Sequence, residues 1–203
     1  MTISAQHRER ISQAIHAAEA KTSGEIVCVL ARTSSHVTAM PILIAAASAL
    51  ALPWVLLFFT ALATDRILML QIALFAALAA TLSLPPVRVA LMPRRARRAI
   101  AHRAAMEQFA IRDLARKPDR SAILIFVSLA ERYARIIADE GIAKRVPQAH
   151  WQAAVDALIA HMRDGHIADG FVSAIDLCGK ELAEHYPRDA SARDQLADRI
   201  HIV

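Results

Sequence analysis

The chain has 203 residues, 56% of them apolar, with a net charge of +5 and an isoelectric point near 9.8. This length allows one domain with a modest addition, and the apolar share exceeds the roughly 45–50% usual for soluble globular domains. The basicity is confined to Arg88, Arg94, Arg95, Arg97, Arg98 and Arg103, whereas residues 107–203 carry 13 basic and 15 acidic groups; with few aromatics and no recognition motif, this speaks against nucleic-acid binding.

Residues 4–22 are predicted to form an amphipathic helix. Ser4 can cap it, Ile11, Ala14, Ile15 and Ala18 recur with helical spacing, and Gly24 is expected to supply a left-handed cap. The run Glu25-Ile-Val-Cys-Val-Leu-Ala31 is apolar on both faces, as in a central strand. Residues 1–39 therefore form the first part of a domain. They are charged and amphipathic and do not read as a cleavable signal. Cys28 and Cys178 lie far apart without C-x-x-C spacing, which suits two small buried core residues.

The next segment, 40–87, has a different character. No Asp, Glu, Lys or Arg lies between Arg32 and Asp65, or between Arg66 and Arg88. Two apolar runs, 40–63 and 67–87, are each long enough to cross a hydrocarbon core of about 30 Å at about 1.5 Å per residue. Pro53 is expected to kink the first. Ala45, Ala46, Ala47, Ser48 and Ala49, with Ala76, Ala77, Ala79 and Ala80, would let the two helices approach closely. The connection Thr64-Asp65-Arg66 is short, so the spans are antiparallel and both flanks lie on one side. The arginines after the second span place that side in the cytoplasm, next to anionic lipid.

Residues 88–186 supply the remainder of the domain. Pro93 opens a helix that continues to about Arg116, and Lys117-Pro118-Asp119-Arg120 is a turn. Residues 121–128 and 133–138 read as strands joined in a hairpin. Pro147 opens a helix closed by Gly165, and a last helix runs from about Ala168 to His185. The tail, 187–203, is charged and is expected to form a loose helix. The order is α-β-hairpin-α-β-β-α-α: an α/β fold with a small mixed sheet flanked by helices and interrupted by a transmembrane hairpin. The first strand must pair with the two that follow the hairpin.

Four segments resemble the TPM domain family, over residues 4–31 and 95–186. Thr22-Ser-Gly24-Glu25-Ile-Val is similar to the family's x-T-G-x-[EQ]-[IV]-V, and Lys117-Pro-Asp119-Arg-Ser-Ala-Ile-Leu to its K-x-[DN]-x-G-[VI]-L-[LI]. Arg135-Ile-Ile-Ala-Asp139-Glu-Gly141 carries the family's Arg and second Gly positions, and Met162-Arg-Asp164-Gly165-His166-Ile-Ala-Asp169-Gly170 is similar to F-[KR]-[ED]-G-[DN]-x-x-x-G. The resemblance implies a TPM-like fold of the bacterial membrane subgroup and, by analogy, a LemA-like membrane protein partner. For plant relatives it brings acid phosphatase activity and calcium binding.

Acids fall where the sheet meets loops: Asp119, Glu131, Asp139, Glu140, Asp164 and Asp169. Asp119 precedes the second strand, while Asp139 and Glu140 follow the third, so a hairpin brings these three together. Such carboxylates suit Ca²⁺ or Mg²⁺, which could activate a phosphate monoester for hydrolysis; Asp is equally at home as a turn cap. Arg135 alternates with apolar neighbours and is placed to pair with Asp119 or contact an anion. His150, His161 and His166 lack convincing zinc spacing, and Ser121, Ser128 and Ser173 lack a G-x-S-x-G setting. The absence of a nucleophile–base pair favours a membrane accessory or scaffold role over hydrolysis.

Overall fold

The computed structural model describes residues 3–34, 39–112, 121–188 and 199–203. In chain order these form α1 (Ala5–Glu19), β1 (Glu25–Ala31), α2 (Ala39–Phe59), α3 (Thr64–Ser83), α4 (Pro85–Leu91), α5 (Arg94–Ile111), β2 (Ala122–Ser128), β3 (Tyr133–Ala138), α6 (Glu140–Ala143), α7 (Gln148–Arg163), α8 (Ile167–His185) and β4 (Ile200–Ile202). The chain divides into two units, residues 1–34 with 99–203, and residues 35–98.

In the first unit, Ser4 caps α1 as expected, its hydroxyl accepting the His7 N–H at 3.2 Å. Gly24 does not end this helix. The C-cap is Ala20 in right-handed geometry, and Gly24 is needed for space: an added Cβ would stand 2.7 Å from the Leu182 side chain and 3.0 Å from the Ser121 carbonyl oxygen. Gly165 does take the left-handed conformation, with φ 83°, just after α7.

The sheet order is β3-β2-β1-β4. β1 pairs with β2 in parallel from Glu25↔Ala122 to Ala31↔Ser128, and β2 pairs with β3 antiparallel, Ser128 facing Tyr133. Residues on either side of the hairpin segment therefore join in one sheet. The expectation that β1 touches both later strands is corrected: β3 is an edge strand, and the other side of β1 is taken by β4. The tail that carries β4 is thus not a loose helix at its end. A central strand has N–H and C=O groups directed to both sides, and all require partners when buried. Ile200-His201-Ile202 meets that need, with Val203 N–H donating to Leu30 O at 3.0 Å and Arg32 N–H to Val203 O at 2.9 Å.

Alternation divides the sheet's side chains into two layers. Ile26, Cys28, Leu30, Ile123, Ile125 and Val127 pack with α1, α7 and α8 around fully buried Phe171. Val27, Val29, Leu124 and Phe126 pack under Ala105 and Phe109 of α5. Cys28 and Cys178 are free and buried, and burial raises both thiol pKa values, so neither is an accessible nucleophile.

In the second unit α2 and α3 form an antiparallel pair joined by residues 60–63. Both are long and apolar enough to cross a membrane. Thr64, Asp65 and Arg66, expected as the connection, instead make the first turn of α3, where Asp65 complements the helix N-terminal dipole. Ala45 and Ala49, one turn apart on α2, are buried, which matches the small-residue reading; Ala76, Ala77 and Ala80 of α3 are exposed. Large apolar side chains point outward, with Trp54 70%, Phe58 82% and Phe59 84% exposed.

His201 makes β4 sensitive to acid. Burial, then the charges of Arg112 and Arg199, lower its pKa below the usual 6.5. The folded state therefore resists a proton that the unfolded chain accepts readily. Stability is retained above the ordinary histidine pKa and falls as the pH drops below it, because the unfolded state then binds more protons. A stability profile from pH 7.5 to 5 should show this decline in the wild type and a flatter profile in His201→Gln; parallel profiles would contradict it.

Candidate functional site

The N-terminal ends of β1 and β2 adjoin the C-terminal end of β3. Glu25 pairs with Ala122, and Asp139 N–H donates to Ala122 O at 2.9 Å, so the three residues form one row across the sheet. Cross-strand neighbours share a face, and Ala122 belongs to the layer beneath α5. Glu25 and Asp139 thus flank a methyl group on one face, and both are buried, at 3% and 6% exposure.

Asp139 is the N-cap of α6. Its Oδ1 accepts the Glu140 N–H at 2.7 Å, while Oδ2 is buried without a hydrogen-bond partner among the described residues. A buried carboxylate oxygen left unsatisfied costs free energy on the order of 1–3 kcal/mol or more, so among the described atoms of the row this is one that could take a cation. Glu140 is exposed and makes an ion pair with Lys144 at 2.8 Å, one helical turn on. Asp119 lies outside the described residues, although Ser121, two positions later, already abuts Glu25 through a 3.1 Å bond from Glu25 N–H to Ser121 O. Of the two expected metal ligands among the described residues, Asp139 is buried and its neighbour Glu140 is exposed. Arg135 is exposed on β3 opposite Phe126, on the same face as the row.

Other acids anticipated near loops are elsewhere. Asp169 bonds Arg10 at 2.6 Å between α8 and α1, and that hydrogen bond lowers its pKa. Both side chains are well exposed, so the pair contributes little. Asp164 is the C-cap of α7.

Glu131 is the acid whose surroundings the sequence hid most fully. It sits in the β2–β3 turn, 5% exposed, where Arg132 adopts a left-handed φ of 50°. The Ser34 N–H reaches its two oxygens at 3.1 and 3.0 Å, the Thr33 hydroxyl donates at 3.1 Å, and the Ser128 hydroxyl donates to Oε2. Ser34 Oγ in turn donates to Ser128 Oγ at 2.9 Å. The carboxylate thereby ties the ends of β1 and β2 together.

The family model of the TPM domain matches residues 77–181, from within α3 to within α8. That span exceeds half of the chain. The chain belongs to the TPM domain family. The BA42 protein from the psychrophilic bacterium Bizionia argentinensis, solved by NMR, superposes over 100% of this chain and 97% of its own with a TM-score of 0.64 at 19% identity, a likeness of fold. No curated protein matches significantly. The family match begins after β1, so Glu25 lies outside it; Asp139 and Glu131 of the TPM domain lie inside.

Removing the Glu131 carboxylate leaves the Ser34 amide and two hydroxyls without their acceptor. Hydrogen bonds to charged groups contribute about 1.5–3 kcal/mol each, so Glu131→Ala should destabilise the domain by at least about 2 kcal/mol. Glu131→Gln, which keeps one acceptor oxygen, should cost less. Thermal melts of the two variants give the order, and equal, negligible losses would contradict the role.

Proposed function

We propose that this TPM-domain protein is anchored in a bacterial inner membrane by the α2–α3 hairpin, with its α/β unit in the cytoplasm as an accessory or scaffold component for a membrane partner. The observation that carries the reading is the outward display of large apolar side chains along both helices. Leaving such a side chain in water forfeits roughly 1.5–3 kcal/mol. Lipid removes that cost, and a continuous helix satisfies its own backbone where no water is present. An even number of crossings is also what the sheet demands, because β1 precedes the hairpin and β2 follows it.

The side of the membrane follows from charge. Arg88, Arg94, Arg95, Arg97 and Arg98 lie within 15 residues of Ser83, where α3 ends, and such clusters remain on the cytoplasmic side. A LemA-like membrane protein is the partner that family analogy suggests. The chain should stay in the membrane pellet through alkaline carbonate washing, and a reporter active only outside the cytoplasm, fused after Val203, should stay silent. Release by carbonate would remove the anchor, and a strong reporter signal would invert the topology.

A second reading is favoured by Asp139 Oδ2. With Glu140 beside it, this buried oxygen fits a hard cation such as Ca²⁺ or Mg²⁺, which when bound would polarise a phosphate monoester and assist its hydrolysis. The chain's own part would be to hold the ion on Asp139 at the end of β3 and to offer Arg135, on the same face, to an anion. Metal-dependent turnover of an aryl phosphate, abolished by Asp139→Asn with the fold intact, is the result expected of such a hydrolase. Turnover that survives the substitution, or no turnover with either ion, would leave the accessory role alone.

A further inference from the structure

The ends of α7 and α8 bring together a second set of groups, away from Asp139. Glu181, Glu184 and His185 occupy positions i, i+3 and i+4 of α8, which place them on one helical face. One potential ligand atom from each lies within 4.8 Å of the others. From the first turn of α7, His150 Nδ1 approaches Glu181 Oε1 to 2.7 Å. Two imidazoles and two carboxylates, drawn from two helices, thus meet at one place.

Helix electrostatics give this cluster a further property. α8 ends at His185, where the last carbonyls lack partners within the helix and carry partial negative charge, which disfavours acidic side chains. Glu181 and Glu184 nevertheless occupy this end. A cation there would offset both carboxylates and the dipole together. The turn that carries the groups is also fixed from outside: Arg145 donates to His185 O at 3.2 Å and stacks its guanidinium 4.6 Å from the centre of the Tyr186 ring, and the Thr22 hydroxyl donates to Tyr186 O. The side chains remain partly exposed and reachable by solvent ions.

We propose that Glu181, Glu184 and His185 form a binding site for a divalent transition-metal ion of the zinc class, with His150 orienting the Glu181 carboxylate. Carboxylate oxygens and an imidazole nitrogen are the ligand types that Zn²⁺ binds at about 2.0–2.2 Å. Small rotations of the partly exposed side chains close the present separations to that shell. The imidazole selects against Ca²⁺ and Mg²⁺, which require an all-oxygen environment. A histidine hydrogen-bonded to a ligating carboxylate is an outer partner of the kind that fixes ligand orientation.

The test uses the full-length chain in detergent, with any affinity tag removed and metal stripped by chelator. Co²⁺ should bind with visible ligand-field bands at one equivalent, Zn²⁺ should displace it, and excess Ca²⁺ or Mg²⁺ should not. Glu184→Gln and His185→Ala should each abolish the bands, and His150→Ala should weaken binding about 10–100-fold. Zn²⁺ should raise the melting temperature of the wild type and of Asp139→Asn, since it binds the folded state, but not that of His185→Ala. Circular dichroism of the metal-free variants checks that each is folded. Absence of Co²⁺ bands in the wild type, or bands that persist in the Glu184→Gln/His185→Ala double variant, would overturn the proposal.

Discussion

The parallel pairing of β1 with β2 is the constraint on which the rest of the molecule depends. These strands are fully buried and lie side by side in register, yet more than 80 residues separate them, including both apolar helices. Parallel neighbours always require a crossover. Here the crossover contains a helical hairpin as well as α5, which covers one face of the sheet. The segment between the two strands must therefore return the chain to the sheet. Any other arrangement would strand β1 without its partner and leave a row of buried backbone groups unsatisfied.

The same pairing concentrates the polar chemistry at the two ends of the sheet. At one end Glu25 and Asp139 flank Ala122; at the other Glu131 gathers the residues that follow β1 and β2. The two ends differ in how well their acids are satisfied. Glu131 receives several donors and acts as a clasp. Asp139 keeps a buried oxygen without a hydrogen bond among the described residues. Low dielectric makes a satisfied network strong and an unsatisfied atom costly, so the Glu131 end is the one that contributes stability.

The hairpin obeys different physics. Among the described residues of α2, Pro41, Ala45 and Ala49 are buried and Leu52 and Leu56 half-buried, while its largest side chains, Trp54, Phe58 and Phe59, face outward. In water that arrangement is unfavourable. In lipid it is the expected one, because tails are as apolar as leucine and helices associate through close packing of small residues. The α/β unit, by contrast, buries its large residues on both faces of the sheet.

Much of this was legible along the chain. The apolar runs, the boundaries of β1 and β3, the Ser4 cap, the Gly165 turn and the β2–β3 hairpin all depend on local propensity and periodicity, which are written in neighbouring residues. The motifs carrying the TPM resemblance are likewise short stretches of sequence. Three residues of β4 beyond a charged tail were not legible, because their strand character comes from the vacant edge of β1, 172 positions away in the pairing Cys28↔Ile200. Nor was the packing role of Gly24, which is set by Leu182. Glu25 read as part of an apolar run, and Glu131 as a turn residue, until the register placed one beside Asp139's row and the other among the Ser34 and Ser128 donors. Sequence determined which segments form helices and strands, since those choices are local. Tertiary structure decided which acids are buried, which are satisfied and which meet, since these depend on partners that only the closed sheet and packed helices bring together.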